Sequence, residues 1–288
     1  MRNPNAIALW VCGAAALAAG ASCRPGAEPL RPPMPPPTVN GVPATPLSEL
    51  GDDRPVEART LVIRHRLVTL QLPLGTASQT EEIWSYVNEE PTGARLGACL
   101  ARNGMRIGLG RERDWPEIAR ILRRLTGQPL ARGQLIARPG HPAAVALKKG
   151  QPVQTIFTFR LDGTLVGRDY PAGDNLLVLT AGVDFDAPRN VLLTGAPVVR
   201  STRRRTRYVK GEAGYVLASK PIHHRLEELA FRLSVAPGGF VMVGPGREVA
   251  RATSPGNRFL VHRQEGERFE TVLVIAPEVF LAPARVRE

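Results

Sequence analysis

Residues 153–199 read VQTIFTFRLDGTLVGRDYPAGDNLLVLTAGVDFDAPRNVLLTGAPVV. Apolar side chains return here in short runs, Val153 to Leu161, Leu165 to Tyr170, Leu176 to Phe185 and Val191 to Val199. Between the runs stand Asp162-Gly163, Ala172-Gly173-Asp174 and Pro188-Arg189-Asn190. A half-buried strand alternates its side chains with period two, and Gly, Asp, Asn and Pro supply the backbone conformations of tight turns. The texture continues through Arg207 to Val209, Tyr215 to Leu217, Leu229 to Val235, Phe240 to Val243, Phe259 to His262 and Thr271 to Ile275. Pro237-Gly238-Gly239 and Ser254-Pro255-Gly256-Asn257 punctuate it as turns. Residues 139–288 are therefore expected to form a mainly antiparallel β-sandwich or open barrel.

Upstream, strands and helices mix. Arg59 to Leu72 is rich in Leu, Val and Ile and reads as one long strand ended by Pro73. Ser78 with Glu81 three residues on predicts the cap of a short helix carrying Ile83, Trp84 and Val87. A helix from about Thr92 to Arg102 is stopped by Asn103-Gly104, and Met105, Ile107 and Leu109 then alternate as a strand. The clearest helix has Asp114, Pro116 and Glu117 at its start. Its Ile118, Ile121, Leu122 and Leu125 recur at i, i+3, i+4 and i+7 before Gly127. Leu130 to Ala137 closes the segment as a strand. The expected class is α+β, with a small α/β module at 56–138 ahead of the β-rich domain at 139–288.

The N-terminus gives an address. Arg2 precedes an uncharged apolar stretch from Ala6 to Ala19, the pattern of an export signal, shorter than the roughly 20 apolar residues that a membrane span needs. Two cleavage chemistries compete at its end. Ala19-Gly20-Ala21 offers small residues to a signal peptidase, whereas Gly20-Ala21-Ser22-Cys23 resembles a lipobox and would make Cys23 a lipidated N-terminus. Residues 24–55 hold prolines at 25, 29, 32, 33, 35, 36, 37, 43, 46 and 55, and are expected to be an extended, disordered tether. Expected localisation is the cell envelope, facing the periplasm or exterior, held to a membrane through the lipid.

Charge and cysteine content narrow the partners. The formal net charge is +12, and of the 38 basic side chains only Lys148, Lys149, Lys210 and Lys220 are lysines. Arginine beside abundant Ala, Gly and Pro is what GC-rich coding produces without selection for a partner. The alternative is attraction to envelope polyanions, namely lipid head groups, acidic glycans or another protein. Nucleic acid is not expected, because export removes the chain from it and an aromatic content of 5% offers few stacking platforms. Cys99 shares a helical face with Leu96 and Leu100 and is expected to be buried packing.

Candidate sites are sparse. Arg200, Arg203, Arg204, Arg205 and Arg207 form the densest charge in the chain and are a candidate anion contact, since guanidinium groups grip carboxylate or phosphate bidentately. The alternative is an edge strand protected from aggregation by charge. Asp184 and Asp186 place two carboxylates on one side of a strand, but no ordered calcium loop surrounds them. Adjacent His223 and His224 point oppositely in extended chain, and His65, His141 and His262 are scattered, so no metal site is expected. No nucleophile elbow or phosphate loop occurs, and no cofactor or catalytic residue is expected.

Residues Leu233 to Gly239, Phe240 to Pro245 and Thr271 to Val279 resemble the ends of uncharacterised bacterial envelope lipoproteins, and the last piece is similar to the closing strand of the secretin pore family. The secretin resemblance implies a small ring-building module ahead of a β domain. The expected function is a noncatalytic, membrane-tethered interaction or assembly module of the bacterial cell envelope. The alternatives are an envelope hydrolase with dispersed site residues, or a polyanion-binding protein.

Overall fold

The computed structural model describes residues 59–127, 130–211 and 214–283, together with the backbone of three two-residue strands, β1 (Thr38–Val39), β2 (Val42–Pro43) and β3 (Thr45–Pro46). Met1 to Cys23, and the lipidation position with them, lie outside the described residues. The chain continues as β4 (Arg59–Pro73), β5 (Val87–Asn88), α1 (Ala94–Arg102), β6 (Met105–Gly110), α2 (Trp115–Thr126), β7 (Ala131–Ala137), β8 (Ala143–Gln151), β9 (Gln154–Phe159) and β10 (Leu165–Tyr170). Then follow β11 (Gly173–Val183), β12 (Val191–Gly211), β13 (Gly214–Arg225), β14 (Phe231–Val235), β15 (Phe240–Pro245), α3 (Pro255–Leu260), β16 (Val261–Gln264) and β17 (Glu267–Pro283). The fold is α+β and β-rich, mostly antiparallel, with the larger sheet curled into a half-barrel.

That sheet runs β5-β6-β15-β17-β4-β7. β17 pairs with β4 from Phe269↔Pro73 to Pro283↔Arg59, and its other edge takes β16, β15 and β3 in succession. Strands from both sides of residue 138 thus share one hydrogen-bonded sheet. Within the Pro-rich stretch, Thr45 and Pro46 pair with Leu281 and Phe280 at a sheet edge, where a proline's missing N–H is tolerated. A second sheet runs β13-β12-β11-β8, with β14 also on β12.

The large sheet is a middle layer. Ile63, Leu67, Val241, Val243, Leu273 and Ile275 join Leu177, Leu179, Leu193 and Leu233 of the second sheet in one core. The alternate positions Val68, Leu70, Leu72, Phe240, Met242, Val272 and Val274 pack with Trp84 and with Ile118, Ile121 and Leu122 of α2. Burial on both faces explains the unbroken apolar runs Val241 to Val243 and Val272 to Ile275, which one-sided strands would not carry. The amphipathic face of α2 and its stop at Gly127 stand as the spacing predicts.

Three local expectations change. Ser78 and Glu81 do not cap an α-helix; only a 3-10 turn, Trp84–Tyr86, forms. The buried Glu270 carboxylate accepts from the N–H groups of Gly75, Ala77 and Ser78 at 2.9, 2.9 and 3.1 Å and from the Ser78 hydroxyl. Glu81 is drawn instead to Arg106. The stretch Phe259 to His262 divides between α3 and β16, and Ser254 is the N-cap of α3, its hydroxyl accepting from Asn257 N at 3.2 Å. β8, with its many Ala and Lys positions, lacked a clear strand signal.

Candidate functional site

β12 is 21 residues long, and its two halves have different fates. Val191–Ser201 lies inside the second sheet, paired with β11 and, at its start, with β14. A register break between Arg200 and Arg204 follows, after which β12 pairs with β13 alone, from Arg204↔Pro221 to Gly211↔Gly214. The two strands form an arm of about 25 Å at ~3.3 Å per residue. Residues 212–213 at its turn lie outside the described residues.

Opposed residues of an antiparallel pair share a face, so the pairing sorts the arm's chemistry. One face carries Arg204, Thr206, Tyr208 and Lys210 opposite Pro221, Ser219, Leu217 and Tyr215. The other carries Arg205, Arg207 and Val209 opposite Lys220, Ala218 and Val216. Towards the tip Tyr208, Tyr215, Val216 and Leu217 are 73%, 75%, 59% and 62% exposed. The sole acidic residue between Arg200 and Arg225 is Glu212. The arm is therefore a cationic shaft with an apolar, aromatic end.

The five arginines singled out by charge density do not act as a unit. Arg200 sits at the base and bonds Asp174 at 2.5 Å, which holds that carboxyl below its ordinary range. Arg204 is turned across the ladder, donating to the Ser219 hydroxyl and carbonyl at 3.1 and 2.6 Å. Arg203, Arg205 and Arg207 are exposed and carry no ion pair among the described residues. A same-sign shaft without carboxylates repels its own copies and attracts an anionic surface.

A second feature is a cleft of about 750 Å³ bounded by α1, the start of β6, Phe159 of β9 and the turn Arg247–Ala250. Asn103 builds it. The Asn103 side chain accepts from Phe159 N at 2.8 Å and donates to Phe159 O at 2.9 Å and to Cys99 O at 2.8 Å, locking the end of α1 to β9. Gly104 then turns with φ +71°, and a Cβ on Gly256 would lie 1.9 Å from Gly104 O, so α3 can approach only without a side chain there. Cys99 beneath is buried, and burial pushes its thiol pKa up.

The cleft arginines fall into two kinds. Arg106 is saturated: it bonds Glu81 at 2.8 and 3.0 Å, bonds Glu89, and stacks over Trp84 at 4.5 Å. Arg102 and Arg251 lie over the Phe159 ring at 6.0 and 4.9 Å, and neither has a carboxylate partner among the described residues. These groups come from segments far apart in the chain, and no local motif marked them. Of the aspartates, Asp184 accepts from Asp186 N at 3.1 Å, Asp169 from the Thr155 hydroxyl at 2.6 Å and Asp174 from Arg200. Among the described residues no group of three or more His, Cys, Asp or Glu side chains could hold a metal ion.

No family model matches the chain, and no curated protein matches it. Among solved structures, Aeromonas hydrophila ExeD aligns at 12% identity with a TM-score of 0.16, over 80% of this chain and 49% of that one. The chain thus spans about half the length of that protein, and a superposition at this level transfers neither fold nor function.

Proposed function

We propose that the protein is a noncatalytic interaction or assembly module of the bacterial cell envelope, tethered to a membrane through Cys23 and engaging an anionic partner through the β12–β13 arm. The arm supports this most directly, because it places apolar and aromatic side chains in water beside unpaired arginines, an arrangement that costs solubility and contributes nothing to the core. The export-signal pattern, the lipobox-like end and the likeness of the C-terminal strands to envelope lipoproteins and secretins belong to the same proposal. Chemistry is assigned to no side chain.

The test is fractionation of cells expressing the full chain, with mass spectrometry of the mature N-terminus. An acylated Cys23 and loss of membrane retention in Cys23→Ser are expected; a free N-terminus after signal cleavage would sink the tether. For the arm, Arg203, Arg205 and Arg207 are changed together to Ser and binding to vesicles of phosphatidylglycerol is measured against salt. Binding that weakens in the variant and with rising salt is expected. Equal binding by both proteins removes the arm from the proposal.

A further inference from the structure

We infer that the cleft between α1 and the Arg247–Ala250 turn binds a monoanionic carboxylate carried on an apolar body, with Arg102 and Arg251 gripping the carboxylate over the Phe159 ring. Its volume, about 750 Å³, lies within the range of small-molecule sites. Leu100, Met105, Ile107 and Phe159 contribute an apolar lining.

Arg102 and Arg251 both line the cleft and both lie against the Phe159 ring, and neither has a carboxylate partner among the described residues. Arg251 is fixed by donation from Nη2 to Arg102 O at 2.9 Å. Guanidinium groups at a cleft without a carboxylate partner leave charge-assisted donors open to a ligand. An incoming carboxylate supplies the acceptor that they lack, because its two oxygens match the planar donors of a guanidinium group.

The rest of the cleft selects the charge. Four arginines line it against three glutamates, Glu81, Glu89 and Glu248, so one net positive charge is left for the ligand to neutralise. A dianion such as phosphate would exceed that single positive charge, whereas a monoanion matches it. Arg106, already held by Glu81 and Glu89, is a wall and not a ligand-binding group.

Octanoate and its uncharged counterpart octanamide are the probes, titrated calorimetrically into the full chain and into Arg102→Gln and Arg251→Gln. Saturable octanoate binding is expected, with octanamide weaker by roughly tenfold or more and each variant weaker by roughly tenfold. Arg102 is exposed, so its variant keeps the fold, which the melting temperature verifies. The Arg203, Arg205 and Arg207 triple variant should bind octanoate as the parent does, separating this site from the arm. Equal binding of acid and amide, absence of saturable binding, an unaltered Arg102→Gln, or inorganic phosphate displacing octanoate at equal concentration would each overturn the assignment.

Discussion

The β4–β17 ladder and the β12–β13 arm are both long antiparallel pairs, and their backbones do the same thing. Their side chains do not. Leu273 and Ile275 on one face of β17 and Val272 and Val274 on the other are all buried, the first two against the second sheet and the others against α2. Along the arm neither face is covered, and Tyr208, Tyr215, Val216 and Leu217 stand in water. Backbone hydrogen bonds alone make an isolated two-stranded ribbon only marginally stable, so the arm depends on the sheet that anchors its base, while the core ladder carries the fold. A surface whose composition brings no folding benefit is free to serve binding. That contrast is what motivates the proposal that the arm serves binding.

The contrast can be broken or sharpened experimentally. Leu273→Ala should cost about 3 to 4 kcal/mol, the usual loss for a fully buried leucine, read as a lowered denaturant midpoint at unchanged slope. A small loss would mean that the middle layer is not the core. His65, in β4, comes next. It is fully buried, neither ring nitrogen has a hydrogen-bond partner among the described residues, and burial lowers its pKa to about 4. Since the unfolded value is near 6.5, the unfolded chain takes up the proton first, and stability should fall as pH drops from 6.5 to 4. The loss, by about 3 kcal/mol, should be absent from His65→Leu. Parallel stability–pH curves for the two proteins over that window would contradict it.

Smaller effects follow at the cleft and the arm. Asn103→Ala removes the clamp on Phe159, taking the acceptor from its N–H and leaving its carbonyl only the Cys99 thiol at 3.3 Å, and should cost about 2 kcal/mol in chemical unfolding. The same variant should weaken octanoate binding, because the ring is no longer held. At the arm, Tyr208→Ser with Leu217→Ser should change stability by no more than about 0.5 kcal/mol, as for ordinary surface substitutions, while reducing vesicle binding. A stability loss comparable to that of Leu273→Ala would show that the arm packs on something and would erase the distinction between the two ladders.

Legibility in the sequence followed the range of the interactions. The strand at Arg59 to Leu72, the helix built on Ile118, Ile121, Leu122 and Leu125, and the buried packing of Cys99 all rest on spacing within one segment, and the structure has them. Ser78 and Glu81 misled because each found a stronger partner elsewhere: Ser78 the carboxylate of Glu270, 192 residues away, and Glu81 the guanidinium of Arg106. Charge density located the arginines of the arm but could not separate Arg200, neutralised by Asp174, from Arg205 and Arg207. The cleft was invisible because Arg102, Phe159 and Arg251 approach only through the fold.

By itself, then, the sequence determined the α+β class, most of the individual strands and helices, and the cationic character of the 200–207 stretch, because periodicity, turn residues and charge are local quantities. Tertiary structure alone decided that β17 lies between β4 and β15, that β12 leaves its sheet to become an arm, and that Arg102 and Arg251 both lie against Phe159. Pairing and cleft geometry are set by which distant surfaces bury one another, and no window along the chain contains that information.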